Sequence, residues 1–347
     1  MKIQNEHSGM ATAYSVSGLF TLSLRLVAGW TYFSAFWRRL ILENKLDSEA
    51  TGYIGEKFNH FLPNALGIKP MIEYLVSNPD ALWWAMTVFT IVEGIVGLLF
   101  MLGLFTRLMS IGVVSLAMGI LLGAGWLGTT CLDEWQIGIL GLAAGFTIFL
   151  SGSGKHSLDY LMMSRSFRIT KRKWFSWVAS GILPVTAGIL HRWTFAGAML
   201  ILFITLFTNQ YFHGGVWGTL HNMSVKPKLE LSNAVIHQGK LSFTAFRVEG
   251  ADVYGSFLIG INISDSDGNI IMEMNGTDLA ELPETAIVNS YVAKIKPGKH
   301  SLVIPLGAKA GLSIANAGLV NLSAGKYTLT LTDISGITWR TDVDMRR

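Results

Sequence analysis

"LWWAMTVFTIVEGIVGLLFMLGLFTRLMSIGVVSLAMGILLGAGWL", residues 82–127, holds only two charged side chains, Glu93 and Arg107. Crossing about 30 Å of hydrocarbon takes about 20 apolar residues. The stretch is therefore long enough to cross twice, at 82–105 and 108–127, turning at Thr106 and Arg107. The same length test marks 14–37 before it and the shorter runs 135–151 and 193–208 after it. Trp37, Trp83, Trp84, Trp126, Trp135 and Trp193 stand at the ends of these runs, where indole rings favour the headgroup level. The expected fold class is a membrane all-α protein, a four-helix transmembrane bundle with a fifth transmembrane helix.

Composition agrees. Half of the 347 residues are hydrophobic, 14% are charged and the mean hydropathy is +0.42, too apolar for a soluble enzyme of this length. The net charge of +4 does not indicate a nucleic-acid partner, because the basic residues gather beside one apolar run. Between Gly152 and Arg192 lie Lys155, Arg165, Arg168, Lys171, Arg172, Lys173 and Arg192 against one acid, Asp159. The positive-inside bias makes this connection cytoplasmic. Alternation then puts the N-terminus inside, and the 38–81 loop, the loop carrying Cys131 and the chain from Asn209 onward outside. The first residues show no convincing cleavage site, so the first helix is expected to be retained.

From about Lys226 the pattern changes to period-2 alternation, as in "KLSFTAFRVE" and "KYTLTLTD", with "DSDGN" (265–269) as a hairpin turn. About 120 residues of short alternating strands predict an extracytoplasmic Ig-like β-sandwich. The expected domains are a four-helix membrane domain over 1–165, a basic cytoplasmic linker over 166–192, a fifth helix with an interface segment over 193–224, and the sandwich over 225–347. Ile54, Phe58, Phe61 and Leu62 fall at helical spacing and are expected to lie along the membrane interface.

Cys131, in "GTTCLDEWQ" (128–136), is the only cysteine. It excludes an intramolecular disulfide and any thiolate cluster built from this chain alone. A lone cysteine is commonly an inert small hydrophobe, and Asp133 and Glu134 beside it would raise a thiol's pKa. Reactivity here would need Arg or His charge from elsewhere. Arg38 and Arg39, at the outer end of the first helix, are either snorkelling side chains or a fork for a small dianion. Arg25 and Glu93 fall at similar depths and are expected to pair between neighbouring helices, as a structural pair or on a proton path. "NQYFHGGVWGTLHN" (209–222) holds His213, Trp217 and His221, weak as a metal site but suited to proton transfer near neutral pH. "SGSGKHS" (151–157) fails as a phosphate loop, because Phe149 and His156 occupy two required positions.

"LRLVAGWTYFSAFWRRL" (24–40), "GTTCLDEWQIGILGLAAGFTIFLSGSGKHSLD" (128–159) and "YFHGGVWGTLHNMSVKP" (211–227) resemble the thiosulfate:quinone oxidoreductase family of the DoxD/DoxA type. The first two are similar to its large, DoxX-like subunit DoxD and the third to its small subunit DoxA, here in one polypeptide. The resemblance implies a multi-pass protein of the prokaryotic cytoplasmic membrane and a thiosulfate dehydrogenase (quinone) activity, with thiosulfate, a membrane quinone and the lipid bilayer as partners. Two thiosulfates would be joined to tetrathionate while the quinone, of ubiquinone, menaquinone or caldariellaquinone type, takes up two electrons and two protons. No haem, flavin or metal signature is present, so the expected route is covalent sulfur chemistry at Cys131. In that scheme Arg38 and Arg39 hold sulfonate ends, His213 or His221 supplies protons, and Trp135 or Trp217 stacks on the quinone ring. The alternative is a non-catalytic transporter or receptor for a sulfur oxyanion, or a scaffold subunit of a respiratory complex. Either form could be a homo-oligomer.

Overall fold

The computed structural model describes residues 12–128, 133–251, 256–320, 322–323 and 325–346; Cys131 lies outside them. Helix over 12–20 turns at Thr21 and resumes as α1 (Leu22–Phe36), which winds into a π-helical turn at Trp37–Leu42. There follow α2 (Ile54–Phe61), α3 (Lys69–Ser77), α4 (Pro79–Leu102), α5 (Thr106–Ala124), α6 (Asp133–Ser151), α7 (Leu158–Ser164), α8 (Phe175–Val178) and α9 (Ala187–His213).

Among the described residues, four helices are long and apolar enough to cross a membrane: α4, α5, α6 from Glu134, and α9, with mean hydropathy of 2.1, 1.8, 1.3 and 1.6. The span expected over 14–37 is divided at Thr21, which leaves 15 uninterrupted α-helical residues in α1. Conversely, the run expected at 193–208 grows to 27 residues. Thr186 caps its start through Ile189 N, and Gly214, at φ 63°, closes its end in the left-handed conformation.

The described residues form two compact units. One takes 12–50, 85–125 and 133–221; the other takes 51–84, 126–128 and the chain from 222. In the first, helices approach closely at glycine. A Cβ on Gly97 would collide with the backbone of Phe33 and Gly29, and one on Gly141 with the Tyr32 hydroxyl, the small-residue contact typical of helices in lipid. Large apolar side chains such as Phe195, Phe203, Val27 and Leu140 stay more than 60% exposed, an arrangement suited to a bilayer and unstable in water.

The second unit is built on ten strands: β1 (Lys228–His237), β2 (Lys240–Glu249), β3 (Ser256–Ser264), β4 (Ile270–Asn275), β5 (Ile287–Asn289), β6 (Lys296–Pro297), β7 (Leu302–Ile304), β8 (Lys309–Ala315), β9 (Tyr327–Asp333) and β10 (Thr338–Arg346). Their hydrogen-bonded order is β5-β8-β2-β1-β10-β9-β3-β7-β6, with β4 beside β3. Alternation fills one core: Leu241, Phe243 and Ala245 of β2 face Leu329 and Leu331 of β9 within a single apolar cluster. The form differs from the expected Ig-like sandwich. β10 pairs with β9 over Thr338–Val343 and then in parallel with β1 over Asp344–Arg346, so the sheets join edge to edge and the domain is barrel-like. The "DSDGN" hairpin forms as expected: Asp265 Oδ1 accepts from the Asp267 and Asn269 amides, and Gly268 has φ 85°.

α2 and α3 belong to this unit. Leu62 and Ile72 are buried with Tyr291, and Phe58, Phe61, Phe246 and Val292 pack around them. The amphipathic segment expected along the membrane interface therefore turns its apolar side onto β2 and the β5–β6 connection. Asn59, fully buried, donates to Gly307 O and accepts from Ala293 N; Tyr291 donates to Glu73 at 2.7 Å.

Candidate active site

Three groups of polar side chains stand out among the described residues of the helical unit. In the first, Arg39 reaches back from the π-helical turn to α4, placing Nη1 2.8 Å from Glu93 Oε2 and 3.2 Å from Thr90 Oγ1, with Phe89 beneath the guanidinium at 5.8 Å. Arg38 is exposed and donates Nε to Ser34 O at 3.3 Å. Of the two arginines expected to bind an anion, Arg39 is thus already neutralised and Arg38 is open.

Arg25 and Glu93 are not joined. Arg25 is 2% exposed and donates Nη1 to Ser153 O and Nη2 to His156 O. The helix register explains the correction. Gly29 packs against Met101, and Gly94 against Phe36. Counting along these antiparallel helices brings Trp37 level with Glu93, so Arg39 reaches back to it from two residues further on, while Arg25 lies about three turns away.

The second group closes the α9 end. His213 Nε2 lies 3.0 Å from Gly125 O, and its buried Nδ1 has no hydrogen-bond partner among the described residues. A carbonyl only accepts, so the neutral ring carries its proton on Nε2 and leaves Nδ1 as an acceptor. Trp135 meets His213 edge-on at 6.5 Å and is fixed by donating Nε1 to Thr208 Oγ1 at 2.9 Å. His221 donates its amide to His213 O. Gln210 holds the next turn by accepting from Val216 N and Trp217 N, leaving the Trp217 ring 68% exposed. His213, Trp135 and His221 are thus brought together. Among the described residues, no hydrogen bond or ion pair links them to Arg38 or Arg39.

In the other unit, the chain entering the Cys131 loop is held tightly. Trp126 is fully buried, donates Nε1 to Phe61 O at 3.2 Å, and accepts from Ser224 Oγ at 2.9 Å through its carbonyl. Asn222 Nδ2 donates to Gly128 O at 2.8 Å. The sequence pass missed Asn222 and Ser224; their small polar side chains carry no motif.

It also missed the third group, at the α5 N-terminal end. Asp159, the one acid of the basic connection, is fully buried. It accepts from Phe105 N, Thr106 N, Thr106 Oγ1 and Ser180 Oγ, a carboxylate at a helix N-terminus. Arg107, also fully buried, donates to the carbonyls of Phe149, Ser176, Ala179 and Gly181. Part of the expected linker is therefore a packed plug, and the available signal was the single acid among seven bases. Among the described residues, no group of three or more His, Cys, Asp or Glu side chains could hold a metal.

Residues 20–186 match the family described as "TQO small subunit DoxD", and residues 212–342 match "TQO small subunit DoxA". The chain is a fused DoxD/DoxA protein. The DoxD match takes in the plug, running past the boundary at 165 drawn from composition. Its description reads small subunit, where the resemblance had implied a large one. In family terms, Cys131, Trp135, Arg39 and Glu93 lie in the DoxD segment, and His213, Trp217, His221, Asn222 and Ser224 in the DoxA segment. The body of α9 falls between the two matches.

Proposed function

We propose that this DoxD/DoxA fusion is a thiosulfate:quinone oxidoreductase that joins two thiosulfates into tetrathionate and passes two electrons to a membrane quinone. The observation that carries it is the tandem of DoxD and DoxA segments, both described as TQO subunits, on one chain. α1 acts as the fifth span by continuing into the π-helical turn, the N-terminus lies inside, and the β-domain lies outside with the thiosulfate.

Cys131 is the one sulfur through which the electrons pass. As thiolate it bonds to the sulfane sulfur of one thiosulfate, giving Cys-S-S-SO3⁻; the electron pair released goes to the quinone, which leaves as quinol with two protons. A second thiosulfate attacks the sulfane sulfur, the S–S bond between it and the cysteine Sγ breaks, and tetrathionate leaves with the thiolate restored. Arg38, open at the surface, attracts the dianion. Arg39 steadies Glu93 and through it the α1–α4 contact. His213 accepts a proton at Nδ1 while neutral and returns it as imidazolium, with His221 beside it as the exposed exchange partner. Trp135, its indole fixed by Thr208, provides a rigid wall against which a planar quinone ring can rest.

The test is reduction of a soluble quinone analogue by purified protein with thiosulfate as sole donor. Tetrathionate should form in equal amount to quinol. Mass spectrometry should show Cys131 heavier by one thiosulfate when the quinone is in excess and thiosulfate is limiting. Full turnover by Cys131→Ser removes the sulfur cycle from the proposal. Thiosulfate binding without quinone reduction by the intact chain favours a receptor or transporter.

A further inference from the structure

A groove of about 690 Å³ runs along the α5 N-terminal end of the helical unit, between α1, α4 and α7. It is used by none of the chemistry above. One wall is apolar: Leu22 and Leu26 of α1, Met101 and Leu102 of α4, Leu161 of α7. The other is polar and cationic: Arg25, Lys155, His156 and Ser157. Among the described residues, no carboxylate lines it. Asp159, nearby in the chain, is fully buried with both oxygens held by Phe105, Thr106 and Ser180.

Arg25 is the telling residue. Its guanidinium is buried and two nitrogens serve the Ser153 and His156 carbonyls, yet among the described residues Nε is a buried donor without a partner. A buried cationic donor left unpaired is costly. Lys155 and His156 are exposed at the same wall. Leu24, Leu26 and Val27 keep α1 apolar and exposed alongside, so a molecule dissolved in the bilayer can reach the groove sideways.

We propose that this groove binds an anionic phospholipid, its phosphate at Arg25, Lys155 and His156 and an acyl chain along Leu22, Leu26, Met101 and Leu102. A free phosphate ion would leave the apolar wall uncovered. A neutral quinone would leave the positive charge unmatched. A lipid with a negative headgroup satisfies both walls.

The site is independent of thiosulfate oxidation and is tested without it. Full-length protein is purified in detergent, and its thermal unfolding is followed with dioleoyl-phosphatidylglycerol, dioleoyl-phosphatidylcholine, inorganic phosphate and a decyl-quinone. Native mass spectrometry records what stays bound. Phosphatidylglycerol should raise the unfolding temperature and be retained, while phosphatidylcholine and inorganic phosphate should do neither. Lys155→Gln with His156→Gln changes only exposed side chains, and should retain phosphatidylglycerol about fivefold more weakly, as expected for removing basic groups at a lipid headgroup. Equal effects of the two lipids, equal retention by the variant, or retention of the quinone in place of lipid would each overturn the assignment.

Discussion

Arg39 and Glu93 form a pair in which one partner is almost fully covered: the Glu93 side chain is 4% exposed and that of Arg39 16%. Removing one member leaves an uncompensated charge, so Glu93→Gln should destabilise the protein by about 3 kcal/mol. Thermal unfolding in detergent of both singles and of the double variant with Arg39→Met should show strong coupling. The parallel cycle of Arg25→Met with Glu93→Gln should be additive. The sequence made Arg25 and Glu93 visible as intramembrane exceptions and Arg39 as a charge at the outer end of the first helix. It did not show which two meet, because counting from helix ends assumes ends that lie level, and the glycine contacts set a different register. At the surface, Asn269 and the turn amides hold the Asp265 carboxylate below its ordinary range. A depressed acid contributes stability above its unfolded value, near 3.8, and loses it as pH falls further. Exchange of the Asn269 amide should therefore speed up below about pH 4, and Asp265→Asn should abolish that acid dependence.

At the scale of elements, the long apolar runs were legible because a bilayer demands a fixed length, and α4, α5, α6 and α9 follow. Strand positions were equally open to a period-2 test. The path through β10 was not, since alternation marks a buried face but says nothing of which edges join. The plug formed by α8 was hidden for a related reason: its residues are held through their backbone carbonyls, to which Arg107 donates, and a carbonyl has no sequence signature. The entry to the Cys131 loop is of this kind too. Ser224→Ala and Asn222→Ala should each cost about 1 kcal/mol. The pair should quicken exchange of the amides around Trp126 and lower thiosulfate turnover, while Ser224→Thr, which keeps the hydroxyl, should restore both.

For the whole molecule, the family matches divide the chain at 186–212, whereas the compact units divide it elsewhere. Residues 51–84 belong to DoxD by sequence and to the β-domain by packing. Residues 222–347 expressed alone should therefore expose the surface around Phe246, Tyr291 and Val292. Such a fragment should bind a hydrophobic dye and aggregate, and adding 51–84 as a tethered segment should reverse both. Function was legible only as far as the quoted stretches carry resemblance; Cys131, His213 and Arg38 remain chemistry inferred from side-chain type and surroundings.

The contact of Tyr291 with Glu73, beside Leu62 and Ile72, also bears on how such a chain can be recombined. A hybrid that exchanges halves at the boundary between the family matches would set one parent's barrel against the other parent's helices α2 and α3. Its inherited strands could be intact and its assembly still poor. Compatible parents are those in which the stretch 51–84 travels with the barrel it covers, so the unit of exchange is interleaved along the chain, and a single crossover does not respect it.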